Sequence, residues 1–312
     1  MHYFVTGGAG FIGTHLVDRL VTMGSVTVYD NLTSGRKRYL KAHLEKKNFR
    51  FIEGDVLHED SLGEAMKGAD IVFHLAANSD IASGADNPRL DHDQGTVATF
   101  HVLECMRRNG VKTIFFPSGS GVYGDQGYTP VFEDFGPCLP ISIYGASKLA
   151  AEGMISAYSH LFNQRALIFR IANVVGGRQT HGVVFDFIRK LKKNPTRLEI
   201  QGDGQQSKSY IHVGDLVGAI FFVLEKDAGS LALYNVAAED YLDVTSIAWI
   251  VIKEMGLKDV ELIYRGGPRG WKGDVPVVRF SLDKIRQLGW RARWTSEQAV
   301  RESVRVMLHD LP

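Results

Sequence analysis

Six short runs rich in β-branched and aromatic residues, at positions 3–5, 26–29, 49–52, 71–75, 113–116 and 166–169, recur along the first half of the chain. Between them lie stretches whose apolar residues suit a helix with one buried face. Strands that alternate with helices read as parallel, joined by right-handed crossovers, because a parallel return needs a connection of helical length. The expected fold is α/β, a doubly wound parallel-sheet Rossmann domain over residues 1–172.

Beyond Arg170 the rhythm changes. Gly176, Gly177, Gly202, Gly204, Gly266, Gly267, Gly270 and Gly273, with Pro195, Pro268 and Pro276, punctuate shorter elements. Loops of this kind suit ligand contact. Residues 210–236 again read as helix then strand, so part of that segment is expected to return to the main sheet. Residues 173–312 are then mainly a smaller, interleaved C-terminal domain that binds substrate.

Composition narrows the partners. The 312 residues are 45% apolar, as in a globular protein, and 36 Lys and Arg against 35 Asp and Glu leave a formal charge of +1. Such a balance offers no field to gather nucleic acid or anionic lipid, so a small, specific ligand is expected. Cys105 and Cys138 stand in no metal-binding spacing, which predicts no metal site and a reducing compartment. The first strand begins at once, leaving no room for a leader, and apolar runs such as 219–224 fall far short of the roughly 20 residues of a membrane span. A soluble, cytoplasmic protein is the expectation.

Candidate chemistry begins at the first turn. Gly8, Gly10 and Gly13 satisfy G-x-G-x-x-G, and Gly7, Gly10 and Gly13 fit G-x-x-G-x-x-G. A strand ends at Thr6 and a helix begins near Phe11, so the glycines let a pyrophosphate approach the positive end of that helix. Gly7, Gly10, Phe11, Ile12 and Gly13 are therefore candidate cofactor contacts. Asp30 ends the second strand near the interval at which a carboxylate meets an adenosine ribose, which favours NAD over NADP. Arg36, Lys37 and Arg38 leave two readings, a solvated helix face or recognition of a 2′-phosphate. Asp55, in Glu53-Gly54-Asp55-Val56, either bonds the adenine amino group or caps a turn.

Tyr144 and Lys148, four residues apart, share one face if they lie on a helix, where an ammonium near a phenol favours the phenolate. To act near neutrality the phenol must come down from about 10 by some three units, roughly 4 kcal/mol of preferential stabilisation. By themselves both residues also fit an exposed helix face; the glycine loop upstream favours catalysis.

These motifs together resemble the extended short-chain dehydrogenase/reductase family, and within it the branch of UDP-galactose 4-epimerases. Residues 6–13 resemble its T-G-G-x-G-F-I-G, Asp30-Asn31-Leu32 its D-N-L, His74-Leu75-Ala76-Ala77 its H-x-A-A, Val122-Tyr123-Gly124 its V-Y-G, and residues 144–148 its Y-x-x-x-K. Residues 170–173 resemble its R-x-x-N, and residues 210–216 its Y-I-H-V-x-D-L. The resemblance implies tightly held NAD, a UDP-sugar substrate and a homodimer. It also implies C4 epimerisation through a 4-keto sugar, with Tyr144 as proton acceptor and Lys148 orienting the nicotinamide ribose. Asn31, Val56, Leu75, Ala76 and Ala77 join the cofactor contacts by the same resemblance.

Two departures stand out. The family places Ser or Thr four residues before the tyrosine of V-Y-G, where this chain has Gly119. Ser118, Ser120 or an ordered water is left to bond the reacting sugar oxygen, and Ser120 is the candidate catalytic hydroxyl. Gln94 stands where relatives often carry Asn. Family 4,6-dehydratases set an Asp and a Glu where this chain has Ser120 and Gly121, so dehydration lacks its acid and base. On the substrate side, Asn173, Lys208, Arg269 and Asp274 are candidates for the diphosphate and sugar. Relatives have Arg in place of Lys208 and of Trp271, and Arg269 is either a shifted phosphate contact or an exposed loop charge. His212 is expected to be structural. Val278, small where a side chain limits the sugar pocket, implies room for N-acetylated sugars.

Overall fold

The computed structural model describes residues 1–310. The first half alternates as the residue pattern predicts except between β2 and β3, where only a 3₁₀ turn, Lys37–Leu40, intervenes: β1 (His2–Thr6), α1 (Phe11–Leu20), β2 (Ser25–Asp30), β3 (Phe49–Glu53), α2 (Glu59–Ala65), β4 (Ile71–His74), α3 (Pro88–Asp91), α4 (Ala98–Asn109), β5 (Thr113–Gly119), α5 (Ile143–Phe162) and β6 (Arg165–Ile171). A π-helical turn, His92–Val97, joins α3 to α4. Then come β7 (Asn173–Val175), α6 (Val183–Lys193), β8 (Arg197–Ile200), β9 (Ser207–Lys208), β10 (Tyr210–His212), α7 (Val213–Lys226) and β11 (Leu231–Val236). The chain continues through β12 (Leu242–Asp243), α8 (Val244–Glu254), β13 (Glu261–Tyr264), α9 (Asp283–Gln287) and α10 (Ser296–Asp310).

Seven strands form the main sheet in the order β11-β6-β5-β4-β1-β2-β3. Parallel pairing joins β1 to both β2 and β4, with Thr6 opposite Tyr29 on one side and His74 on the other. The order turns back on either side of β1, and in doubly wound sheets ligands bind at the carboxyl ends beside that switch. Phe4, Val5, Val28, Val72, Phe73 and Phe115 are fully buried, as strands covered on both faces must be. Helix α4 stops at Gly110, whose φ of 71° is the left-handed cap that an L-residue resists.

The chain divides into two compact units. One comprises Met1–Val122, Ile143–Arg170 and Ile220–Leu233; the other comprises Tyr123–Ser142, Ile171–Ala219 and the chain from Tyr234 onward. The pattern-based boundaries, 1–172 with 210–236 returning, do not include the excursion Tyr123–Ser142. Its hydrogen bonds explain its place in the second unit. Val131 donates to Arg279 O at 2.8 Å and accepts from Ser281 N at 2.9 Å, and the buried Tyr123 hydroxyl donates to Asn235 Oδ1 at 2.7 Å. Within this unit β10 pairs with β7 and β13 with β8, both parallel, while β12 pairs with β9 antiparallel. Among the described residues no helix is long and apolar enough to cross a membrane.

Candidate active site

The glycine loop is built by close approach. Gly7 adopts φ 67°, and a Cβ there would lie 2.6 Å from Ala76 N. A Cβ on Gly13 would strike Gly7 O, and one on Gly8 would fall 2.7 Å from a Val28 methyl. Gly10 caps α1 with no side-chain hydrogen bond, so the cap residue itself leaves the first N–H groups of that helix unsatisfied. Phe11, Ile12 and Gly13 form that first turn. These are the features of a dinucleotide pyrophosphate cradle, and the residues present fit NAD. Gly13→Ala is expected to cost about 1–3 kcal/mol through overpacking and to weaken NAD binding roughly tenfold or more, measured by calorimetric titration. Unchanged affinity would remove Gly13 from the cradle.

Asp30 closes β2 beside this loop. Its Oδ2 accepts from Ala9 N at 2.9 Å and its Oδ1 from Leu32 N at 2.8 Å. Burial raises its carboxyl, and these two backbone donors oppose the rise. Asp55 accepts from Asn31 Nδ2 at 2.9 Å and from Leu57 N at 2.9 Å, so it caps its own turn and bonds the residue that follows β2. Val56 is buried behind it. Arg36, Lys37 and Arg38 are exposed; Lys37 lies over the Phe51 ring and Arg38 over Tyr39.

Leu75, Ala76 and Ala77 follow β4 and lie against Gly7. Leu75 N donates to Thr6 O, and Ala76 N to Thr6 Oγ1 at 3.2 Å. The buried His74 ring continues this chain, with Thr6 Oγ1 2.8 Å from Nδ1 and Thr99 Oγ1 3.2 Å from Nε2. Thr99 spends its own proton on Gly95 O at 2.6 Å. Thr99 therefore accepts from Nε2–H, and Nδ1 accepts from Thr6, which assigns the tautomer. Burial pushes the imidazole down to about 3, with the Lys148 charge adding to it, so His74 is a neutral strut.

Tyr144 and Lys148 lie on the first turns of α5. Lys148 is almost wholly buried, and its Nζ donates to Pro117 O at 2.8 Å. It also lies 4.5 Å from the Phe116 ring centroid and 5.7 Å from that of Tyr144. Burial lowers the ammonium to about 8, against the charges of Glu152 and Asp91, which raise it. The phenol behaves otherwise than the sequence reading requires. Burial pushes Tyr144 up to about 12, and the Asp91 charge adds to the rise. Tyr144 as a residue is only half-buried, yet loss of hydration at its hydroxyl is the larger of the two causes of the rise.

The turn after β5 carries the departures. Gly119 ends the strand, and Ser120 opens a 3₁₀ turn, Ser120–Tyr123. Ser118 is buried, and its Oγ has no hydrogen-bond partner among the described residues. A Cβ on Gly121 would meet Gly145 Cα at 3.5 Å, so this turn packs against α5. Gln94 lies in the π-helical turn, which also approaches α5 closely. A Cβ on Gly95 would stand 2.7 Å from Ser147 Cβ.

In the second unit, Lys208 Nζ meets Asp274 Oδ1 at 2.6 Å, and Gly270 N donates to Asp274 Oδ2 at 3.0 Å. Arg269 donates to Asp274 O through Nη1 and to Asp125 Oδ2 at 2.7 Å through Nη2. Three of the four substrate candidates thus form one ion-paired cluster, with Asp125 as a member the sequence reading missed. Asn173 lies instead on β7, hydrogen-bonded to the side chain of buried Tyr210. Half-buried Val278 precedes Arg279, whose guanidinium carbon lies 4.0 Å from the Tyr241 ring centroid. His212 accepts from Gly214 N through Nδ1 at 3.1 Å and packs on Trp294. Arg170 is tied up in the first unit by Glu152 at 2.7 Å, both side chains almost wholly buried.

Residues 3–237 match a family described as the NAD dependent epimerase/dehydratase family. A protein of Methanocaldococcus jannaschii described as a putative UDP-glucose 4-epimerase is 33% identical over 311 residues, covering 97% of each chain. A UDP-glucuronic acid decarboxylase of Arabidopsis thaliana is 31% identical over 316 residues, covering 98% of this chain and 67% of its own. Among solved structures, a UDP-galactose 4-epimerase superposes with a TM-score of 0.89 at 39% identity over the whole of both chains.

Proposed function

Because this chain belongs to the NAD dependent epimerase/dehydratase family, we propose that it epimerises a UDP-hexose at C4, interconverting UDP-galactose and UDP-glucose. The observation that carries the proposal is the Tyr144 and Lys148 pair, with the ammonium buried and aimed at Pro117 O beside the phenol. The turn at Ser120 and Gly121 has no carboxyl group of its own, which weighs against elimination of water. The full-length likeness to 4-epimerases supports the same reading.

NAD, held by the glycine turn, would supply the hydride acceptor and donor and, when oxidised, a positive charge that favours the phenolate. Tyr144 takes the proton from the sugar 4-hydroxyl and returns it after the 4-keto sugar has turned over its other face. The phenol must fall from about 12 to near neutrality, about five units or roughly 7 kcal/mol of preferential stabilisation. Lys148, charged below about 8, contributes part of that by its positive charge and orients the cofactor ribose. Ser120 is assigned the hydrogen bond to the reacting oxygen that Gly119 cannot make. Asn173, Lys208, Arg269 and Asp274 are assigned to the diphosphate and sugar, where a guanidinium fork suits phosphate oxygens. A homodimer through α5 belongs to the same proposal.

The test is incubation with UDP-galactose, no NAD added, following products by NMR and absorbance of reduced nicotinamide. UDP-glucose without accumulated NADH is the expected result. No product after NAD is supplied would overturn the choice of substrate, and carbon dioxide released from UDP-glucuronic acid would replace epimerisation by decarboxylation.

A further inference from the structure

Asp91, at the end of α3, is 1% exposed. Asn78 Nδ2 donates to its Oδ1 at 2.8 Å, while its Oδ2 has no hydrogen-bond partner among the described residues. Asn78 also donates to Asp80 O at 2.8 Å and accepts from Asp80 N at 3.0 Å, so the carboxylate is tied to the turn that follows Leu75, Ala76 and Ala77. Gly84 leaves room for it, since a Cβ there would overlap Oδ2. A buried carboxylate with a neutral amide as its donor is costly to fold around, and groups left in that state call for a functional reason.

Its surroundings supply one. The segment through Asp91 and the π-helical turn packs along α5, and the carboxylate acts electrostatically on both Tyr144 and Lys148. Glu152, the other carboxylate felt by Lys148, also holds the guanidinium of Arg170 through paired hydrogen bonds. We propose that Asp91 is a positioning residue of the Tyr144 and Lys148 pair, a buried carboxylate secured by Asn78 and accommodated by Gly84 that keeps the Lys148 ammonium charged beside the phenol. The inference rests on the roles given to Tyr144 and Lys148 above.

Every titratable or charged group facing this cluster enters the expected pH behaviour. Tyr144, Lys148 and Glu152 come from α5, Arg170 from β6, Asp80 from the turn after β4, and His74, neutral, from β4. On the segment of Asp91 itself, His92 and Arg89 both pair with Asp93. A negative charge nearby favours the protonated form of both phenol and ammonium, so removing it lowers both pKa values. In Asp91→Asn the acid limb of the kcat profile, set by ionisation of Tyr144, and the alkaline limb, set by loss of the Lys148 proton, should both move to lower pH. A shift of about half to one unit is expected, a three- to tenfold change in each ionisation constant. Asp91→Glu, which keeps the charge, should restore both limbs.

The decisive measurement needs no turnover. NAD-bound protein labelled with ¹³C at tyrosine Cζ and lysine Cε is titrated by NMR, with the Tyr144 signal assigned by its loss in Tyr144→Phe. Downward shifts of both titrations in Asp91→Asn, absent in Asp91→Glu, support the role. Unmoved titrations overturn it, even if activity falls, because a merely structural residue would lower activity at every pH. If the amide does not fit beside Gly84 and the variant fails to fold, the smaller neutral Asp91→Ser is titrated with the same two outcomes. Shifts seen in a protein that does not turn over UDP-galactose would sustain Asp91 and discard the 4-epimerase reading.

Discussion

Tyr144→Phe is expected to lower the rate of UDP-galactose turnover by about a thousandfold or more while leaving NAD bound. The substitution removes one oxygen and keeps the ring, so packing on α5 survives. The proton acceptor is lost, and positioned acid or base groups contribute about 10²- to 10⁴-fold. The cradle proposed for NAD is the turn of Gly7, Gly10 and Gly13, with Ala76 against Gly7, none of which the change touches. Turnover by NMR and nicotinamide content of the unfolded protein check the two halves separately. Near-normal turnover would end the assignment of Tyr144, whereas loss of cofactor together with activity would make Tyr144 a binding residue instead.

Glu152→Ala should be among the most destabilising single changes in the first unit. The Arg170 and Glu152 side chains are 6% and 7% exposed, and Nη2 and Nε both reach the carboxylate, at 2.7 Å and 3.1–3.2 Å. Removing the carboxylate takes away the ion-pair partner of a buried guanidinium, and breaking such a pair costs about 3–5 kcal/mol. Urea unfolding at neutral pH should show that loss as a lower midpoint with an unchanged slope. A loss under about 1 kcal/mol would mean that Arg170 finds another partner. Lys148 also loses a charge that supports its protonated form, so the alkaline limb of activity should move down in the same variant.

Arg170 shows how far motif reading reaches. The string from Arg170 to Asn173 resembles a substrate contact, yet the guanidinium belongs to the packing of α5 on β6, which leaves Asn173, on β7 with Tyr210, as the member proposed for the substrate. Tyr123, inside another motif, is likewise structural: its hydroxyl bonds Asn235, which in turn donates to Val131 O and Ser281 O. A motif records which residue types recur and not which of them touch ligand. Asp91 had no signal at all in the sequence. An acidic residue at a short helix end is ordinarily solvated, and the turn of Asn78 and Gly84, with the path of α3 along α5, takes this one out of water.

What the sequence determined by itself was local and periodic. The spacing of apolar runs specified the six parallel strands, because burial on both faces demands uninterrupted hydrophobic segments. The glycines specified the close-packed turn between β1 and α1, because only they allow backbone atoms so close, and the interval from Tyr144 to Lys148 specified a shared helical face. Tertiary structure decided the electrostatics. Whether the phenol rises or falls depends on hydration lost and on charges from distant positions, Asp91 above all. The pairing of Lys208 and Arg269 with Asp274 and Asp125 likewise joins residues remote in sequence, and Coulomb interactions follow distance and burial in space, which residue spacing does not encode.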